Sequence, residues 1–84
     1  MKYKARIHTH LKKSVLDPQG QTTLHALEAL GFKEAVSLRI GKYFEMTLEA
    51  ADRAKAEESI HAMCDKLLHN PVIEEYAFEI QEVV

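Results

Sequence analysis

Cysteine occurs once, as Cys64, so no internal disulfide can form and no CxxC zinc arrangement can be built around it. A reducing setting, the cytoplasm, is the expected one. Long apolar runs are missing too. The opening Met1-Lys2-Tyr3-Lys4-Ala5-Arg6 interleaves charge with apolar residues, which predicts neither a signal peptide nor a membrane span. Basic clusters do not extend beyond Lys12-Lys13, and 13 acidic residues against 11 basic ones give a formal charge of −2. Phosphate-backbone binding therefore has no electrostatic footprint. Glycine-rich phosphate loops, HExxH helices and a Ser-His-Asp order are likewise lacking. Nothing in the chain predicts catalysis.

What remains is an ordinary globular balance: 84 residues, 46% hydrophobic and 29% charged, with only three glycines and two prolines. That is one small domain over residues 1–84. A chain of this length buries only a little over ~60% of its unfolded surface, so self-association is expected to supplement its core.

From Tyr3 to Leu11 the odd positions are Tyr, Ala, Ile, Thr and Leu, while the even ones from Lys4 to Lys12 are Lys, Arg, His, His and Lys. A period of two predicts a strand with one wet face. In the following Ser14–Gly20 segment, Asp17-Pro18-Gln19-Gly20 suits a type I turn, or Asp17 caps a helix with Pro18 at its first position. Leu24, Leu27 and Leu30 mark the stripe of that helix, and Gly31 stands where a left-handed terminal residue belongs.

Residues 36–49, expected as the long central strand of the sheet, alternate most clearly, with Val36, Leu38, Ile40, Phe44, Met46 and Leu48 on one parity and only Lys42 breaking that side. At ~3.3 Å per residue such a strand extends roughly 46 Å. A compact chain of this length has a radius of gyration near ~12 Å and a diameter of about 30 Å. The strand is therefore expected either to bend at Gly41 or to share its far half with a second subunit.

From Asp52 to His69, Ala56, Ile60, Met63 and Leu67 recur at spacings of four, three and four, predicting a second amphipathic helix that stops at Asn70-Pro71. A last strand follows, with Val72, Tyr76, Phe78 and Ile80 on one side and Glu75, Glu79 and Gln81 on the other. The order β-α-β-α-β predicts an α+β two-layer sandwich, a mostly antiparallel sheet with both helices on one face.

Few side chains suggest chemistry. His8 and His10 share a strand face, but the local sequence lacks a third metal ligand, so they are expected to be solvated. Cys64 has no base nearby and Asp65 opposes its ionisation, which makes it a small hydrophobe. The adjacent carboxylates Glu57-Glu58 and Glu74-Glu75 point apart and share no proton. Around Arg39-Ile40-Gly41-Lys42-Tyr43-Phe44 the register of RNA-stacking aromatics is absent. Arg39, Gly41 and Tyr43, with Lys42 between them, are instead candidate interface residues on the overlong strand, since Arg and Tyr give most per contact and glycine permits close approach. No catalytic, cofactor-binding or metal residue is assigned.

Three segments, Leu16-Asp17-Pro18-Gln19-Gly20, Arg39-Ile40-Gly41-Lys42-Tyr43-Phe44-Glu45 and Met63-Cys64-Asp65-Lys66-Leu67-Leu68 through Asn70-Pro71-Val72-Ile73-Glu74, resemble the PurS family in order and spacing over nearly the whole chain. PurS is the small subunit of phosphoribosylformylglycinamidine synthase. The resemblance implies a non-catalytic assembly subunit that joins a PurL-like synthetase to a PurQ-like glutaminase. Together they convert formylglycinamide ribonucleotide, ATP and glutamine to the amidine in the fourth step of purine biosynthesis. It further implies that ATP and Mg belong to the synthetase, that the chain itself binds no cofactor, and that it forms homodimers able to pair into tetramers. A ferredoxin-like or ACT-like dimeric module that binds a small regulatory molecule is the alternative from another class.

Overall fold

The computed structural model describes residues 1–83, ordered β1 (Lys2–Leu11), α1 (Pro18–Ala29), β2 (Gly41–Glu49), α2 (Arg53–Met63), a π-helical turn (Cys64–Leu68) and β3 (Glu74–Val83). The sheet has the order β2-β1-β3, with both neighbours antiparallel to the central strand. Its register sets Ile7 between Phe44 and Phe78, and Ala5 between Met46 and Ile80. Successive side chains of a strand point to opposite faces. Tyr3, Ala5, Ile7 and Thr9 therefore turn to one side and are buried, while Lys4, Arg6, His8 and His10 line the other. The expected α+β architecture with an antiparallel sheet is present.

Helix α2 supplies the second layer. Asp52 caps it by accepting the Lys55 amide at 2.8 Å. Ala56, Ile60 and Cys64, each four residues apart, are sealed against Tyr3, Ala5, Ile7 and Ile80. This corrects the expected stripe: Met63 lies at the margin and Leu67 is 83% exposed, whereas Cys64 is fully buried. The physical reason is the wide turn at Cys64–Leu68, whose backbone closes from the His69 amide to the Cys64 carbonyl at 3.1 Å. Beyond Cys64 the strict α-helical spacing no longer decides which face a residue takes. The final strand starts at Glu74, so Val72 precedes it and is exposed, while Tyr76, Phe78 and Ile80 face α2 as expected.

Helix α1 differs from the expected cover. It makes only marginal contact with any strand, and its one buried leucine, Leu24, lies outside the main core. The capped-helix alternative at its start is the one realised: Asp17 Oδ1 accepts the Gly20 amide at 3.0 Å, with Pro18 in the first turn. Gly31 adopts φ +99° and ends the helix. The Gly31 and Phe32 amides bond back to the Glu28 and Leu27 carbonyls, both at 3.0 Å, the pattern that closes a left-handed helix terminus.

The long strand does not lie at the centre as expected but at the edge, because β1 is the strand paired on both sides, and it is shorter than its alternation. It begins at Gly41, and residues 35–40 precede it outside the ladder because β1 turns away after Leu11. The premise of a compact chain also fails. The molecule measures 51 × 29 × 14 Å, with a radius of gyration of 16.5 Å, because α1 and residues 35–40 project as an arm beyond the sheet. Among the described residues no helix is long and apolar enough to cross a membrane.

Candidate interaction surface

Of the four candidate interface residues, Gly41 and Tyr43 stand on the polar side of the sheet, in register with His10 and His8. The Tyr43 ring packs at 4.8 Å from the His8 ring and remains half exposed. A Cβ added at Gly41 would run into the Thr9 carbonyl, so glycine is what allows β2 to start so close to β1. Lys42 lies on the opposite face, paired in register with buried Thr9. Arg39 does not share the Tyr43 surface. Its Nη2 donates to the carbonyls of Lys12 at 3.0 Å, Val15 at 3.1 Å and Leu11 at 3.4 Å, tying the arm to the loop after β1.

The rest of this polar side is charged but locally balanced. Lys4 Nζ lies 3.4 Å from Glu45, Arg6 donates to Gln81 at 3.4 Å, and His10 Nε2 is 3.5 Å from Glu75. Exposed pairs of this kind contribute about 0–1 kcal/mol each. Their effect is on recognition more than on stability. Across three strands they form a wet face of mixed sign surrounding the Tyr43–His8 stack, which suits a specific protein contact better than a nucleic acid.

Cys64 lies under the π-helical turn, where burial pushes its thiol up and the neighbouring Asp65 charge pushes it further. A thiol held protonated is a poor nucleophile. One cluster lay beyond the sequence pattern: the Tyr76 hydroxyl sits 2.7 Å from His61 Nδ1, and His69 Nδ1 sits 2.7 Å from the Cys64 carbonyl. Burial, the Asp65 charge and a hydrogen bond to Asp65 raise the Tyr76 phenol. The spacing His61-Asp65 marks one helix face, but only the fold brings β3 beneath it. These groups fasten the end of α2 to the sheet. Among the described residues no three His, Cys, Asp or Glu side chains gather where they could hold a metal ion.

A three-stranded sheet with one helical layer, one open polar face and a projecting arm defines a small α+β subunit built around its surfaces. Residues 4–82 match the family model PurS: Phosphoribosylformylglycinamidine (FGAM) synthase. The chain belongs to the PurS family. It is 48% identical over 82 residues to the phosphoribosylformylglycinamidine synthase subunit PurS of Bacillus subtilis, covering 98% of this chain and 96% of that one. To the same subunit of Synechocystis it is 50% identical over 78 residues, covering 93% and 78%. Among solved structures, B. subtilis PurS superposes with a TM-score of 0.88 at 46% identity, covering 95% and 99%. A chain in the structure of PurLQS from Thermotoga maritima gives 0.90 at 32% identity, covering 96% and 99%. These relatives are synthase subunits, and nothing in them supports the regulatory-module alternative.

Proposed function

We propose that this chain is the assembly subunit of phosphoribosylformylglycinamidine synthase, holding a PurL-like synthetase and a PurQ-like glutaminase together. Ammonia released from glutamine then reaches the synthetase, which uses it with ATP to turn formylglycinamide ribonucleotide into the amidine. The observation that carries this reading is the full-length match to the T. maritima chain found in a PurLQS structure. The open sheet face with Tyr43 at its centre and the projecting arm agree with it, since both are surfaces rather than pockets for chemistry. In this reading ATP and Mg reside on the synthetase, and this chain contributes contacts, not reacting groups.

The assembly forms in the cytoplasm. The chain acts as a homodimer, which can pair again into a tetramer. Tyr43 and Gly41 belong to a contact on the polar face, and Lys42, on the opposite face of the same edge strand, belongs to a contact on that side. Arg39 serves that contact indirectly, by fixing the arm. Reconstitution tests the reading. Synthetase and glutaminase mixed with formylglycinamide ribonucleotide, ATP and glutamine should give amidine only when this chain is added, whereas free ammonia in place of glutamine should support the synthetase without it. Equal glutamine-dependent rates with and without the chain would contradict it.

A further inference from the structure

The polar side of the sheet is not evenly filled. On the central strand Lys4 and Arg6 are half-buried among their neighbours, but His8, further along the same row, is exposed. Register explains the opening: Tyr43 stands on the β2 side of His8 and only Ala77 on its β3 side. Tyr43 covers one side of the imidazole, with the ring centroids 4.8 Å apart, so the side toward β3 is bare. Along β3 this face reads Glu75, Ala77, Glu79, which sets a carboxylate on either side of the short residue, each about 6–7 Å away along the strand. Glu75 is engaged, 3.5 Å from His10 Nε2. Glu79 is not. Its register partner Arg6 turns to Gln81 at 3.4 Å and to Glu45 at 4.0 Å, and Glu79 forms no ion pair among the described residues. The notch thus offers a methyl floor, the bare side of an imidazole and a carboxylate without a cation.

We propose that this notch receives an arginine side chain of a partner subunit in the synthase. The inference deepens the polar-face contact of the proposed function and rests on it. A guanidinium answers all three features: its planar face stacks on the ring, its fork pairs with Glu79, and its methylene stem covers Ala77. Other side chains answer fewer. An aromatic or aliphatic one would bury Glu79 without a counter-charge, and a carboxylate would meet Glu75 and Glu79 as like charges. A lysine would pair with Glu79 but has no planar group to lay on the imidazole.

A second copy of this chain has no such group to give. Of its three arginines, Arg6 is part of this face, and Arg39 is bound to the carbonyls of Leu11, Lys12 and Val15. Arg53 is held by Glu57 at 3.2 Å and by the Ile80 carbonyl at 3.3 Å. The arginine therefore comes from a different protein. Its fit also explains why the Tyr43 stack is built on a histidine beside an alanine: the ring is supported from β2 and left open toward β3.

Binding of the chain to a mixture of synthetase and glutaminase, with ATP and glutamine present, tests the notch. Ala77→Leu fills it and should raise the Kd for the partners by at least about tenfold. Glu79→Gln keeps the shape, removes the charge, and should raise it by about fivefold or more. Glu58→Gln removes the same charge from α2, on the other side of the sheet, and should leave the Kd unchanged. His8→Phe keeps a ring and should bind like the unaltered chain, whereas His8→Val should bind as poorly as Glu79→Gln. These positions are all exposed, so each isolated variant should keep its circular dichroism spectrum and sedimentation coefficient. Full affinity in Ala77→Leu, Glu79→Gln or His8→Val, or an equal loss in Glu58→Gln, would overturn the proposal. The two levels separate cleanly. An unaltered chain that joins neither partner removes the assembly reading itself, whereas an unaltered chain and an Ala77→Leu chain that join equally well remove the notch alone.

Discussion

The Asp17 carboxylate accepts the Ile40 amide at 2.9 Å, joining the start of α1 to the last residue before β2 across 23 positions of sequence. Its other oxygen caps α1 through Gly20. A Cβ at Gly20 would lie 2.6 Å from that carboxylate and 2.8 Å from the Leu38 carbonyl, so the close approach requires glycine. One buried acid thus sets both the helix and the direction in which the arm leaves the sheet.

The Ile40 and Gly20 amides hold the Asp17 carboxyl below its usual range, with the Arg39 charge adding to them against the cost of burial. A depressed folded-state value means that this acid stabilises the fold above its unfolded value of about 3.8 and loses that contribution as pH falls through the depressed one. Asp17→Asn should therefore melt below the unaltered chain at pH 7. The difference should shrink as pH falls below about 4. Parallel thermal melts across pH 2–7 check this, and a constant difference would contradict it.

Thr9 Oγ1 is buried at the centre of the sheet and, among the described residues, has no hydrogen-bond partner. Leaving a hydroxyl in that state costs about 1–3 kcal/mol. Thr9→Val keeps the shape and the β-branched preference for a strand, and should raise stability by about 1 kcal/mol, or about 4–8 °C in Tm. Urea denaturation reads the change, and a loss of stability would show that the hydroxyl has an unseen partner.

Ile60 is fully enclosed between α2 and the sheet. Ile60→Ala should cost about 2–5 kcal/mol, the range for a large aliphatic side chain removed from a core. Leu67→Ala on the same helical segment should cost the isolated monomer under about 0.5 kcal/mol, because its side chain is already in water. Equal losses for the two would refute the observed turn at Cys64–Leu68.

Cys64 is buried and its thiol is held protonated. Thiol reagents should leave it unmodified in the folded chain at pH 7 and react stoichiometrically after denaturation. Cys64→Ala should sustain the same glutamine-dependent rate in the reconstituted synthase. Loss of that rate in a folded variant would give the cysteine a role that its surroundings do not support.

Much of this was legible in the chain before folding. Strict alternation over Tyr3–Leu11 predicts a strand with one wet face, and the Asp17-Pro18 and Gly31 signals predict both ends of α1, because each is a local preference; that β1 and not the 36–49 strand is central depends on tertiary pairing. What escaped was tertiary. Alternation over Val36–Ile40 reads as strand, but a strand needs a neighbour, and β1 ends before reaching that segment. The spacing of Met63 and Leu67 reads as core, but the packed row runs through Ala56, Ile60 and Cys64, which leaves Met63 at its margin, and the π-helical turn redirects Leu67. Arg39 reads as an interface side chain because nothing in its neighbours reveals that the carbonyls of Leu11, Lys12 and Val15 converge on it. Tyr43, by contrast, was placed by parity alone, and its exposed position next to His8 followed.

Tyr43 separates folding from assembly. Tyr43→Ala removes a half-exposed ring from the polar face and leaves the apolar side untouched. The isolated variant should keep its circular dichroism spectrum, while its affinity for the partner subunits falls by about tenfold or more, as for an interface anchor. Unaltered affinity would take Tyr43 out of the contact.

Native mass spectrometry of the chain, alone and then mixed with a PurL-like synthetase and a PurQ-like glutaminase in the presence of ADP and glutamine, tests the central claim most directly. The account predicts a dimer that enters a ternary assembly with both partners. A chain that stays apart from both, at concentrations where synthetase and glutaminase are folded and active, would contradict it.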